Sequence, residues 1–381
     1  MKLRVLFLSS WFPSKAHTTL GNFVQYHAEA VSEFCEVTVL YLVKLASEKN
    51  LSIEDEKSNN IRIVRVYYKN NGFLFLNRFR ALKLGIRHFK ETSEPADLIH
   101  HNVIWTEGWQ AIYASKKLKI PFCITDHWTG YHPDERAPLN FIQKSYMRYV
   151  ANASSLLMPV THHMGEAMRN LGFTSEINVI PNVVKSAVLQ PNFDNENGYQ
   201  FIHISHLGDE HKNISGILRT WKNVTQQSSN VHLKIGGDGP VDTWKALARN
   251  LEIPPGTISF FGTLNQQEVA NQMRQSNCFV LFSNFENLPL VMIEAMCCGL
   301  TIITTDVGGC KEFLPLDQGH FLIAKKDETG LYNAMIQAIH QKQIQIQNKK
   351  DISEYASNQF SNKHIGMQMN NAYHSILKSK C

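Results

Sequence analysis

The 381-residue chain is 43% hydrophobic and 19% charged, a globular composition that excludes disordered and fibrous classes. Its length allows two or three domains, and no apolar stretch approaches the ~20 residues needed to span a bilayer. Net charge is +5 but unevenly placed: residues 1–185 carry 22 Lys+Arg against 16 Asp+Glu, residues 186–381 carry 16 against 17. Seven scattered cysteines with no C-x-x-C pair argue against a disulfide framework or structural zinc, and for a reducing compartment.

The opening "MKLRVLFLSSWFPS" lacks a small-residue cleavage site and reads as a first strand, Leu3–Ser9, rather than a signal peptide. A helical pattern over Asn22–Phe34 follows, then strands over Glu36–Leu42 and Ile61–Tyr67. From Lys57 to Lys90 there are nine basic residues and no acid. Within it, "GFLFLNRFRALKLGIRHFK" interleaves Phe73, Phe75, Phe79, Leu82, Ile86 and Phe89 with Arg78, Arg80, Lys83, Arg87 and Lys90, on a helix expected over Asn77–Phe89. The pattern fits a basic amphipathic helix on an anionic membrane surface, and equally a packed helix with a solvated basic face. No reading motif accompanies the charge, so nucleic acid is not an expected partner. Strands over Asp97–His100, Phe122–Asp126 and Leu156–Val160 and a helix over Asn140–Ala151 complete the first half. The pairs His100–His101 and His162–His163 follow strand ends, where they either line a cleft or serve as ordinary hydrogen-bonded residues.

A second series begins near Tyr199, with strands over Phe201–Ser205, Val231–Ile235, Ile258–Phe261, Cys278–Phe282 and Thr301–Thr304. The Pro, Asn and Gly of residues 180–198 mark a seam between the two series. After a short Gln-rich tract, "HQKQIQIQNKK", the chain ends in helical patterns over Ser353–Gln359 and Lys363–Lys378. Strand–helix alternation in two series implies an α/β fold of two doubly wound parallel sheets, with ligands beyond the strand C-termini in a central cleft. The expected domains are 1–185, 186–355, and a C-terminal helix, 356–381, crossing back to the first.

"SNFENLPLVMIEAMCCG" (283–299) sets two acids, Glu286 and Glu294, eight positions apart among apolar residues. Pro289 suits the first turn of a helix, which places Glu286 in the turn after a strand and Glu294 about two turns into that helix. Free N–H groups over Asn287, Leu288, Pro289 and Leu290 (Pro289 itself has none) favour an anion such as phosphate, and carboxylates grip sugar hydroxyls well. The competing reading is a Glu that complements a helix dipole plus a buried Glu satisfied locally. "GGDGP" (236–240) lacks the Lys-Ser/Thr of a P-loop and the third Gly of a dinucleotide fingerprint, and reads as a tight turn. Cys297 and Cys298 read as small buried apolar residues.

"SNFENLPLVMIEAMCCGLTIITTDVGGCKEF" resembles the signature of retaining GT-B glycosyltransferases, family 4 in particular. "LGNFVQYHAEAV", "ITDHWTGY", "VIPNVV" and "GGDGP" match further family segments in the expected order, so the likeness runs nearly the whole length. It implies two Rossmann-like domains, the first binding acceptor and the second a nucleotide sugar. It further implies that Glu286 holds donor-sugar hydroxyls, Glu294 the ribose, and Lys212 the leaving diphosphate. Amides at Asn287–Leu290 and at Gly21 and Asn22 would approach the phosphates, and His127 would sit near the reacting centre. Gly262 is counted with the donor set, and Trp128, beside His127, with the acceptor. One position departs: His206 stands where the family has an Arg, one donor in place of a fork of five.

The expected reaction is transfer of a sugar, with retention, from a nucleotide-diphosphate sugar to a hydroxyl of a lipid-linked or cell-surface glycan acceptor. The donor is a substrate; no cofactor is expected, and no D-x-D or H-E-x-x-H triplet calls for a metal. Arg78, Arg80, Lys83 and Arg87 would face acceptor or membrane, at the inner face of the cell membrane of a cytoplasmic protein. The alternatives are a sugar-nucleotide epimerase on the same fold, a catalytically silent sugar-nucleotide binder, and, from another class, an exported solute-binding protein.

Overall fold

The computed structural model describes residues 2–17, 20–46, 51–69, 74–131, 139–185, 188–192 and 198–378. Two compact units divide it: Met1–Val183 with Asn362–Cys381, and Val184–Ser361.

The first unit runs β1 (Arg4–Ser9), α1 (Asn22–Ser32), β2 (Glu36–Leu45), β3 (Ser52–Ser58), β4 (Ile61–Lys69), α2 (Leu74–Thr92), β5 (Leu98–Asn102), α3 (Trp109–Leu118), β6 (Phe122–Asp126), α4 (Phe141–Ala153), β7 (Leu156–Pro159) and α5 (His162–Asn170). Its sheet has the order β3-β4-β2-β1-β5-β6-β7, parallel except for β3. Alternation along each strand sends side chains to opposite faces. Leu6 and Leu8 join a core with residues of α2, α3, α4 and α5, while Val5 and Phe7 join a second core with α1. Burial on both faces explains why the central strands read as apolar runs.

The second unit runs β8 (Tyr199–His206), α6 (Asp209–Lys212), α7 (Ile214–Gln227), β9 (Val231–Asp238), α8 (Val241–Asn250), β10 (Ile258–Phe261), α9 (Gln266–Arg274), β11 (Cys278–Leu281), α10 (Leu290–Cys297), β12 (Thr301–Thr305), β13 (Phe321–Ile323), α11 (Glu328–His340) and α12 (Lys342–Gln359). Its sheet, β10-β9-β8-β11-β12-β13, is parallel throughout. The chain then returns as α13 (Asn362–Lys378), whose Ile365, Met369, Tyr373 and Ile376 belong to the core containing α1.

Several expected boundaries shift. The Gln-rich tract is helical: His340 ends α11, and from Lys342 the tract forms the first half of α12. β3, "SIEDEKS", went unread because it is charged; it pairs antiparallel with β4 and meets its partners there, Glu56 with Arg65 at 2.6 Å and Asp55 with Arg62 at 2.9 Å. Charge on an edge strand also discourages pairing with other chains. The three-residue edge strand β13 is too short to signal itself. Phe73, Cys381 and parts of the 180–198 seam lie outside the described residues.

Candidate active site

In each sheet the strand order reverses direction beside the first strand, and in open α/β sheets ligands bind outside the C-terminal ends at that point. In the second unit the switch lies between β8 and β11. The segments leaving these two strands carry Lys212 and Glu286.

Their positions follow from local rules. α6 is a single turn that ends at Asn213, which takes a left-handed conformation (φ 50) and caps α7 with its side chain. Asn284 stitches the two loops together: its backbone N–H donates to the His211 carbonyl at 2.7 Å, and its Nδ2 donates to the Glu210 carbonyl at 2.9 Å. Lys212 Nζ thereby reaches Glu286 Oε1, which also accepts from Ser283 Oγ at 2.7 Å. The two side chains are 17% and 8% exposed, so the pair sits mostly out of water, where losing one partner strands the other. From the β12 side, Gly308 lets the backbone close in. It has φ +55, and a Cβ there would fall 1.9 Å from the Glu286 carbonyl oxygen.

Asn287 and Leu288 continue the turn, Pro289 is the N-cap of α10, and Leu290 is its first residue. The apolar spacing between the acids now has its cause: Met292, Ile293, Ala295, Met296 and Cys297 are buried and hold α10 down. Glu294 has no ion-pair partner among the described residues, and burial pushes its carboxyl up to about 7. His206 closes β8 and is exposed; no Arg occupies its place. Gly262 follows β10, two strands from β8, with open space where a Cβ would be.

In the first unit, Gly21 is the N-cap of α1 at φ +78, and a Cβ would meet the Trp11 carbonyl at 2.5 Å, so only glycine fits. Asn22 opens the helix. The ring of the next residue, Phe23, lies 4.3 Å from that of His127, and His27 lies 5.4 Å from it. The fold therefore gathers Gly21, Asn22 and His127 at one edge. Burial, reinforced by His27 and His100, holds the His127 imidazole well below the usual histidine range, so it is neutral.

Other expected residues are placed differently. Trp128 stacks on Trp105 (5.7 Å, 16°) and packs against the core of the first unit. Arg78 turns inward, with Nη1 2.7 Å from Glu107 Oε1 and Nε donating to Tyr68 Oη at 2.8 Å; it does not join Arg80, Lys83 and Arg87, which are exposed. Of the amphipathic pattern, Leu82, Ile86 and Phe89 face the core, while Phe75 and Leu76 lie outside. His100 and His101 are fully buried: His100 bonds Tyr373 Oη (2.6 Å) and Thr125 Oγ1 (2.8 Å), and His101 bonds the Val103 carbonyl (3.1 Å). Cys297 and Cys298 are buried, as their reading expected.

Two residues that drew no attention in the sequence stand beside these. Asp126, fully buried at the end of β6, accepts from Ile104 N–H (2.8 Å) and Tyr131 Oη (2.5 Å) on one oxygen and from Trp128 N–H (2.9 Å) on the other; the His127 N–H also faces it. It ties down the loop that carries His127. Lys325, after β13, sets its ammonium 3.8 Å from the ring centre of Phe285, whose edge meets His211. Aspartate beside the histidine was a faint signal; Lys325 gave none, since its contact joins segments forty residues apart.

Residues 20–187 match the model of Glycosyltransferase Family 4, and residues 185–359 that of Glycosyl transferases group 1. TuaC of Bacillus subtilis (strain 168), whose name assigns it to teichuronic acid biosynthesis, is 22% identical over 99% of this chain and 100% of its own. N-acetyl-alpha-D-glucosaminyl L-malate synthase of Bacillus anthracis is 28% identical over 46% and 45%. Among solved structures, the sucrose-phosphate synthase of Thermosynechococcus elongatus superposes with a TM-score of 0.78 at 16% identity, covering 99% of this chain and 100% of that one. Anabaena Alr3699/HepE, in complex with UDP and glucose, gives 0.76 at 17%, covering 98% and 100%. The fold is GT-B, two Rossmann-like domains, and the two matched models together span residues 20–359; the chain belongs to glycosyltransferase family 4, the glycosyl transferases group 1, and is a glycosyltransferase.

Proposed function

We propose that the chain transfers a sugar, with retention and without a metal, from a nucleotide-diphosphate sugar to a hydroxyl of a lipid-linked or cell-surface glycan. The observation that carries this reading is the Lys212–Glu286 pair at the switch point of the second sheet, followed at once by α10 with Glu294. The complex of like-folded HepE with UDP-glucose supports a nucleotide-sugar donor.

In this reading Glu286 gives its oxygens to donor-sugar hydroxyls, and Lys212, released from it, meets the diphosphate. A diphosphate leaves well once preorganised donors stabilise its growing charge, so Lys212 and the amides at the start of α10 do most of the electrostatic work. The acceptor hydroxyl then attacks from the face the diphosphate leaves, and a phosphate oxygen takes its proton. Glu294 accepts from the ribose, and His206, lacking an Arg's fork, adds one hydrogen bond. In the first unit, Gly21 and Asn22 offer amides to phosphate, and neutral His127 contacts the donor sugar on the acceptor side.

A thermal-shift screen against nucleotide sugars tests the core of this. At a hundred times Kd a true donor adds about 2.7 kcal/mol of stability. Glu286→Gln and Lys212→Gln are expected to abolish that shift while remaining folded. Product anomer by NMR, with and without chelator, then checks retention and metal independence. Failure of every nucleotide sugar to stabilise the wild type sinks the proposal, and conversion of donor without acceptor would favour an epimerase.

A further inference from the structure

The helices α2, α3 and α4 share one face of the first sheet, and together they hold nine Lys and Arg against a single acid, Glu91. Arg78 is paired inside with Glu107, but Arg80, Lys83, Arg87, Lys90, Lys116 and Lys117 are exposed. Large apolar side chains lie on the same helices: Phe75 is 68% exposed, Leu76 44%, Phe141 81% and Ile142 77%. Scattered exposed apolar residues are ordinary, but these four occupy the first turns of two helices on the same face of the sheet. The Phe75 ring lies 5.3 Å from Trp109, the Trp109 N–H donates to Tyr146 Oη at 3.1 Å, and Tyr146 is one turn beyond Ile142. The first turn of α2 and the second turn of α4 therefore meet Trp109. Further along, Phe79 and Tyr113 meet edge to face at 5.1 Å, with Lys83 over the Phe79 ring at 4.9 Å and Lys117 over Tyr113 at 6.0 Å. Aromatic bodies crowned by ammonium groups suit a boundary that is apolar below and anionic above.

We propose that this three-helix face docks on an anionic bilayer. Phe75, Leu76, Phe141 and Ile142 enter the boundary between headgroups and acyl chains, and Arg80, Lys83, Arg87 and Lys144 meet lipid phosphates. The inference deepens the lipid-linked acceptor reading and rests on it for its purpose, though binding itself needs no nucleotide sugar. Nucleic acid would give the apolar group no role, and two copies meeting on this face would oppose like charge.

The test is sedimentation of the full chain with vesicles of phosphatidylcholine alone and of phosphatidylcholine with phosphatidylglycerol, at low and high salt. Binding is expected only to the anionic vesicles and is expected to weaken with salt. Arg80→Gln with Lys83→Gln is expected to lower the partition about 25-fold, at about fivefold per cation. Phe141→Ser with Ile142→Ser is expected to lower it about tenfold or more. Both variants change exposed side chains and should melt like the wild type. Equal binding to the two vesicle types, or full binding by both variants, overturns the proposal. So does gel filtration in which the variants convert a dimer to monomers. If vesicles bind while no lipid-linked acceptor is ever glycosylated, the docking face stands and the acceptor reading falls.

Discussion

Asp126 shows what a single buried carboxylate does here. Burial raises its pKa, yet three backbone N–H groups and the Tyr131 hydroxyl converge on its two oxygens. Asn would keep one acceptor but turn an NH2 toward donors that already point inward, leaving at least one buried N–H unpaired at about 1–3 kcal/mol. Asp126→Asn is therefore expected to lower stability by that amount in urea unfolding. If His127 serves the reacting centre, kcat falls by more than donor affinity, most of whose contacts in the proposed reading come from the second unit. An equal loss in both would make Asp126 a stability residue only. Asp126 is a positioning residue: its effect on chemistry passes through the loop it holds.

At the scale of elements, much of the fold could be read because local pattern and tertiary context agree. β6 and β10 fall where their apolar runs end, and Asn140 caps α4 through a capping box with Gln143. α13 was legible as a helix, and its return to the first unit is fixed by contacts some 270 residues away. β3 escaped reading because its pattern is charged: it is a strand because Arg62 and Arg65 of β4 receive its acids. The site divides likewise: Glu286 and Glu294 were legible from spacing within one segment, while the inward turn of Arg78 depends on Glu107, beyond any helical period. α13 offers a direct check. Its fully buried Tyr373 bonds His100 Nδ1 at 2.6 Å, and in Tyr373→Phe that ring nitrogen loses its partner with almost no change in volume. The expected cost is about 1–3 kcal/mol in the unfolding of the first unit, with melting of the second unchanged.

At the scale of the molecule, the buried titratable groups give the two units unequal sensitivity to acid. In the first, burial lowers His27 and His101 to about 4 and His100 and His127 well below their usual range. In the second, His203 and His320 are lowered to about 4. A histidine with a depressed native pKa binds fewer protons folded than unfolded, so its contribution is lost as pH falls from about 6.5 toward 4. Carboxyls with raised native pKa act oppositely over that window: Asp126 and Glu107 in the first unit, and Glu294, at about 7, in the second. The first unit sets four such histidines against two raised carboxyls and the second sets two against one, so the first should lose more stability per unit of acidification than the second. Hydrogen exchange read by mass spectrometry at pH 7 and pH 5 resolves the two. Protection should fall further in the strands of the β1–β7 sheet than in those of the β8–β13 sheet. The reverse order would mean that the buried histidines of the first unit are not the groups that set its acid limit.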